Sequence, residues 1–95
     1  MIVRISDQAE RDLELIGDYI ADDDALRAAS FVRELRDKCI DIGGSPRLYP
    51  LVARYDARGL RKRVHCSYLI LYEIDDGVVS IARVVHGARD WLELI

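Results

Sequence analysis

The groups with the most chemistry in this chain are two histidines, His65 and His86, an isolated arginine, Arg83, and a basic run, Arg61-Lys62-Arg63. Imidazole titrates near neutrality. Two histidines beside cationic side chains could therefore serve as acid and base in cleaving RNA. Each histidine ends an expected strand, and only the fold decides whether they meet. Arg83 stands among Val79, Ile81 and Val85. An unpaired guanidinium on such a face is costly. It either pairs with a carboxylate, Glu73 across a hairpin or Asp90 farther on, or belongs to a binding site. No serine lies in a nucleophile elbow, and the glycines are scattered rather than gathered into a phosphate loop. Cys39 and Cys66 lack the spacing of metal ligands, and both read as small buried residues. No metal and no cofactor are expected.

These groups need elements to hold them. At 95 residues, 51% of them apolar, the chain reads as one domain spanning 1–95. A chain this short buries only about 60–65% of its unfolded surface, so a partner covering apolar surface would stabilise it. Residues 2–5 are β-branched and read as a strand. Ser6 and Asp7 offer N-caps, and Asp7 with Glu10 has capping-box spacing. Ala9, Leu13, Ile16 and Ile20 then mark a helix over residues 7–21. Asp22-Asp23-Asp24 ends it and caps a second helix, whose stripe is Ala28, Val32, Leu35, Cys39 and Ile42. Gly43-Gly44 stops that helix. The short connection makes the two helices an antiparallel hairpin.

Residues 43–59 form a long loop whose Leu48, Tyr49, Leu51 and Val52 are too apolar for free solvent. They tack it to the sheet or to a partner. Residues 60–64 make a polar edge strand, with Arg61 and Arg63 on one face and Leu60, Lys62 and Val64 on the other. In residues 67–74, Tyr68, Ile70, Tyr72 and Ile74 alternate with Leu69 and Leu71. A strand apolar on both faces is covered on both faces. Asp76-Gly77 suits a tight turn into a strand over 78–86. Residues 88–94 close with a short helix anchored by Trp91. The fold class is α+β: an N-terminal strand, a helix hairpin on a small, mainly antiparallel sheet, and a short C-terminal helix.

Fourteen basic residues face seventeen acidic ones, for a net charge of −3. Strong direct binding of nucleic acid by the chain alone is not expected, because phosphate contacts call for a basic excess. The charge is uneven. Residues 1–42 carry 6 basic and 11 acidic side chains, and residues 43–95 carry 8 and 6. An electrostatic working surface therefore belongs to the second half. Arg61, Arg63, Arg83, His86 and Arg89 are its main cationic and titratable groups on ordered elements, expected near one sheet edge and in contact with a target. Arginine fits that role because its planar fork grips carboxylate or phosphate at two points. Charges begin at Arg4, and no apolar run approaches the ~20 residues that span a bilayer. The expected compartment is the cytoplasm, with no membrane contact.

Three stretches together resemble the RelE/ParE superfamily of bacterial toxins. They are Val3-Arg4-Ile5-Ser6 with Ala9, Asp12-Leu13, Ile16 and Tyr19-Ile20; Leu60-Arg61-Lys62 before the run from Tyr68 to Ile74; and Val84-Val85-His86-Gly87-Ala88-Arg89-Asp90-Trp91. The resemblance covers nearly the whole chain. It implies a type II toxin–antitoxin system, in which the toxin poisons growth and a small antitoxin neutralises it by binding. RelE-like members cut messenger RNA at the ribosome, and ParE-like members inhibit DNA gyrase. RelE-like ribonucleases place an arginine just after the tyrosine of the central strand, where this chain has Leu69. They also use a C-terminal tyrosine, where this chain has Trp91 and Leu92. The resemblance therefore favours the ParE branch, a protein inhibitor of gyrase rather than an enzyme, and leaves open two alternatives: ribosome-dependent cleavage of messenger RNA, and a toxin fold that only binds its antitoxin. It implies a ribbon-helix-helix, ParD-like antitoxin in a hetero-oligomer, for which Tyr19, Tyr49 and Leu51 are the expected contacts.

Overall fold

The computed structural model describes residues 1–89 and 91–94. Strand β1 (Ile2–Ile5) leads into helix α1 (Asp7–Ala21), and α2 (Ala25–Asp41) returns beside it. Short 3-10 turns follow at Ile42–Gly44 and Ala53–Tyr55. Strands β2 (Arg61–His65), β3 (Tyr68–Asp75) and β4 (Val78–His86) form a meander, and a 3-10 turn at Trp91–Leu94 ends the described chain. The sheet order is β1-β4-β3-β2. β1 runs parallel to β4, and the other pairings are antiparallel. The α+β class, the helix hairpin and the mainly antiparallel sheet stand as expected from the sequence.

Local chemistry accounts for the element ends. The Ser6 hydroxyl accepts from Ala9 N at 3.0 Å and caps α1. The capping box expected from Asp7 and Glu10 gives way to another contact. Glu10 instead accepts two bonds from the Arg36 guanidinium, at 2.6 and 2.8 Å, and ties α1 to α2. This bidentate geometry holds the Glu10 carboxyl below its ordinary value. Asp24 caps α2 by accepting from Arg27 N at 2.9 Å, as the run of aspartates suggests. Asp76 and Gly77 both take positive φ, 52° and 76°, in the two-residue turn between β3 and β4. Gly43 is required by a close approach: a side chain there would collide with the Met1 carbonyl, while the Met1 amino group donates to Gly43 O at 3.0 Å.

Two cores sandwich the sheet. On the helix side Leu13, Ile16, Phe31, Leu35, Cys39 and Ile42 meet Ile70, Tyr72, Val79, Ile81 and Val84. On the far side Leu60, Leu69, Leu71, Val85 and Val52 form a second cluster, overlaid by Tyr55, Trp91, Leu92 and Leu94. The double-sided burial of β3 follows its sequence. The long loop is only partly tacked down. Val52 is buried and Tyr49 packs edge-on against Tyr72, but Leu48 is 71% exposed.

The alternation assumed for β4 needs correction. The register with β3 shifts between Leu71 and Tyr72, so that Ile81 opposes Tyr72 and Arg83 opposes Leu71. Ala82 is the extra residue of a bulge, and a bulge reverses which face the following residues meet. Val79 and Ile81 therefore join the helix-side core, whereas Val85 joins the far cluster. Cys66 is a second correction. Cys39 is buried, but Cys66 is exposed at the tip of the β2–β3 turn with φ of 54°. A two-residue hairpin loop lifts its residues away from both faces of the sheet, which is why a strand-based reading buried it wrongly.

Candidate functional site

β1 ends at Ile5, where the chain leaves the sheet to begin α1. Beyond Ile81, β4 therefore loses its parallel neighbour, and its backbone donors on that side need new partners. Asp12, on the buried stripe of α1, supplies one. Its carboxylate accepts from Val84 N at 2.9 Å and from Arg83 Nε and Nη2 at 2.8 and 2.9 Å. Arg83 also donates to Leu94 O at 3.3 Å. The partner of Arg83 is thus Asp12, and Glu73 instead pairs with Arg58. Asp90, the other expected partner, lies outside the described residues. Asp12 keeps Arg83 in its charged form, pushing the guanidinium up from its ordinary value.

This ion pair floors a groove of about 480 Å³ between α1 and the end of β4. Leu15, Ile16 and Tyr19 line it from the helix, and Tyr68, Val84, Val85, His86 and Arg89 from the sheet and its exit. Tyr19 is 75% exposed. The Tyr68 and His86 rings meet edge to face with centroids 5.2 Å apart. Burial, with the Tyr19 phenol nearby, pushes the Tyr68 hydroxyl up, so it keeps its proton at neutral pH. His86 Nδ1 accepts from Ala88 N at 3.1 Å. The neutral ring then carries its proton on Nε2 and offers the groove a donor.

Three of the five cationic groups expected together, Arg83, His86 and Arg89, share this groove. Arg61 and Arg63 do not. They lie on β2, two strands away at the opposite edge, and they are occupied. Arg61 donates to Tyr49 O at 2.7 Å, holding the long loop. Arg63 donates to Lys38 O at 2.9 Å and Asp41 Oδ2 at 3.0 Å, and lies over the Tyr49 ring at 4.7 Å. It thereby satisfies a carbonyl of the last turn of α2, where a cation also suits the helix dipole. The residues expected to face an antitoxin are likewise divided. Tyr19 lines the groove. Tyr49 packs on Tyr72, and Leu51 bridges Arg61. Along β3, Tyr72 lies roughly 13 Å from the groove's Tyr68.

The two histidines do not meet. His65 and His86 both oppose Tyr68, from β2 and β4 respectively, which sets them roughly 10 Å apart. His65 Nε2 instead contacts Glu34 Oε2 at 2.7 Å, and that bond holds the Glu34 carboxyl below its ordinary value. Asp12, Tyr68 and Glu34 are the site residues that reading the sequence did not single out. Asp12 left a signal: it falls at i+3 from Ala9, on the buried stripe, where a carboxylate must find partners.

A family model for the ParE toxin of the type II toxin–antitoxin system parDE matches residues 3–91. The chain belongs to this family. Its fold is similar to a solved structure of the chromosomal ParDE system from P. aeruginosa, with a TM-score of 0.76, 15% identity, and coverage of 90% of this chain and 95% of that one. It is also similar to the toxin–antitoxin complex RelBE2 from Mycobacterium tuberculosis, with a TM-score of 0.65, 26% identity and the same coverage. No curated protein sequence matches significantly. The ParE-family chain is thus a type II toxin of the ParE/RelE fold. Among its described residues no helix is long and apolar enough to cross a membrane.

Proposed function

We propose that this ParE-family toxin arrests growth in the cytoplasm by contacting DNA gyrase, and that a ParD-like ribbon-helix-helix antitoxin neutralises it in a hetero-oligomer. The family match over residues 3–91 carries the reading. The state of the groove supports it. Cleavage of RNA needs a base, an acid and a charge stabiliser directed at one phosphate. Here His86 presents a donor, Tyr68 keeps its proton, and Arg83 is committed to Asp12. Leu69, where RelE-like ribonucleases carry arginine, is buried in the far cluster. A donor-rich groove fits recognition of carboxylate or carbonyl groups on a protein better than phosphodiester cleavage. His86 and Arg89 form the centre of the proposed target contact, with Arg83 held beneath them by Asp12, while Arg61 and Arg63 secure the long loop and α2 at the opposite edge of the sheet. The exposed Leu15 and Tyr19 on the groove's helical wall form the proposed antitoxin contact.

The 26% identity to a RelBE2 chain favours a second reading, ribosome-dependent cleavage of messenger RNA. One pair of assays separates the two. Purified toxin is added to DNA gyrase with supercoiled plasmid, and separately to ribosomes translating a defined message. Accumulation of gyrase-linked DNA breaks, diminished by Arg89→Ala, is expected. Site-specific message cleavage that disappears in His86→Ala, without DNA breaks, would replace the proposal with the second reading.

A further inference from the structure

We propose that Glu34, His65 and Cys66 form a binding site for a zinc-type divalent cation, linking α2 to the tip of the β2–β3 hairpin. A carboxylate oxygen, an imidazole nitrogen and a thiol sulfur from these residues all lie within 4.8 Å of one another. Oxygen, nitrogen and sulfur together are the donor set that zinc accepts and that hard cations such as magnesium do not.

The geometry is close to what such an ion needs. With metal bonds of about 2.0–2.3 Å, tetrahedral donors sit roughly 3.3–3.8 Å apart. The Glu34–His65 contact, at 2.7 Å, must open by about 0.6 Å, and the thiol must close by at most about 1.3 Å. Both changes are within reach of side-chain rotation, because Glu34 lies on the surface of α2 and Cys66 is exposed on a turn. The imidazole is already oriented, stacked on Phe31 with centroids 6.0 Å apart and planes at 28°. The hairpin tip is anchored as well, since Ser67 O accepts from Gly87 N at 2.7 Å. The exposed thiol side leaves a fourth position for water or for a ligand from a partner.

Cys66 itself points to the same use. Its φ of 54° is a conformation that favours glycine or asparagine, and an exposed cysteine gains no packing in exchange. What it adds at the turn is sulfur beside an imidazole. Arg27, at 3.9 Å from Glu34, is the cation that now faces the carboxylate, and its guanidinium also rests 5.0 Å above the Phe31 ring. A metal would displace it from Glu34 without costing it that second support.

The test uses reduced, untagged full-length toxin titrated with cobalt(II) and then zinc(II). Cobalt is expected to saturate at one equivalent with a thiolate-to-metal charge-transfer absorption, which zinc then bleaches. Zinc should also raise the melting temperature, because it binds the folded chain. Cys66→Ser, at an exposed position, should fold normally, lose the absorption and bind zinc at least about 10-fold more weakly. His65→Ala should weaken zinc similarly. Failure to saturate at one equivalent, or an unchanged affinity in Cys66→Ser, overturns the site.

Discussion

Replacing Arg83 by leucine removes one half of the ion pair that joins α1 to β4. The Asp12 side chain is 7% exposed and that of Arg83 18%. Without Arg83, the Asp12 carboxylate keeps the Val84 N–H and a long 3.5 Å contact from Gln8, but it loses its counter-charge. Breaking a buried pair by removing one partner costs about 3–5 kcal/mol. Arg83 is not wholly out of water, which moves the expectation to the lower end, about 3 kcal/mol including the lost bond to Leu94 O. For a domain of this size 1 kcal/mol corresponds to about 4–8 °C, so melting should fall by about 12–24 °C. The charge, not the shape, is responsible. Asp12→Asn in the Arg83→Leu background keeps an oxygen for Val84 N–H and removes the stranded anion, so it should recover at least about half of the loss. Calorimetry of the two variants against the parent measures this directly. If Arg83→Leu melts within about 3 °C of the parent and abolishes growth inhibition, the arginine serves the target and not the fold, and the energetic reasoning fails.

Other outcomes follow from single features. Tyr19→Ala should weaken binding of the cognate antitoxin about 10-fold by calorimetric titration while leaving melting unchanged; equal affinity would move the contact away from the groove. Cys66 should react at once with a disulfide reagent, whereas Cys39, whose thiol burial pushes up to about 12, should react only on unfolding, so two fast thiols would contradict the buried placement. The depressed carboxyl of Glu10 contributes stability that is complete above its ordinary value of 4.5 and is lost as pH falls through the lower folded value. Glu10→Gln should therefore lose less than about 1 kcal/mol at neutral pH, a difference that vanishes as pH falls below the folded value and so flattens the acid side of the stability–pH curve; a neutral-pH loss of several kcal/mol would show that Arg36 does more than pair.

Periodicity is a property of neighbours in the chain, and what depends on neighbours was legible. The stripe of Ala9, Leu13 and Ile16, the caps at Ser6 and Asp24, the double-sided burial of Leu69 to Tyr72 and the turn at Asp76-Gly77 all follow from local spacing. So does the meander of the last three strands, once a helical period gives way to alternation near residue 60. The site depended on contacts that no local pattern contains. Arg83 meets Asp12 across a sequence separation of 71 residues. That meeting exists because β1 leaves the sheet at Ile5 and exposes the β4 edge to α1. The bulge at Ala82 adds one residue to a strand whose sequence reads as continuous, and so reverses which side chains face the helices. Strand order then separated Arg61 and Arg63 from His86, although a list of cationic residues cannot distinguish them. Residue types limited which groups could bind or react; the pairing of distant backbone edges decided which of them stand together, and which are already satisfied by one another.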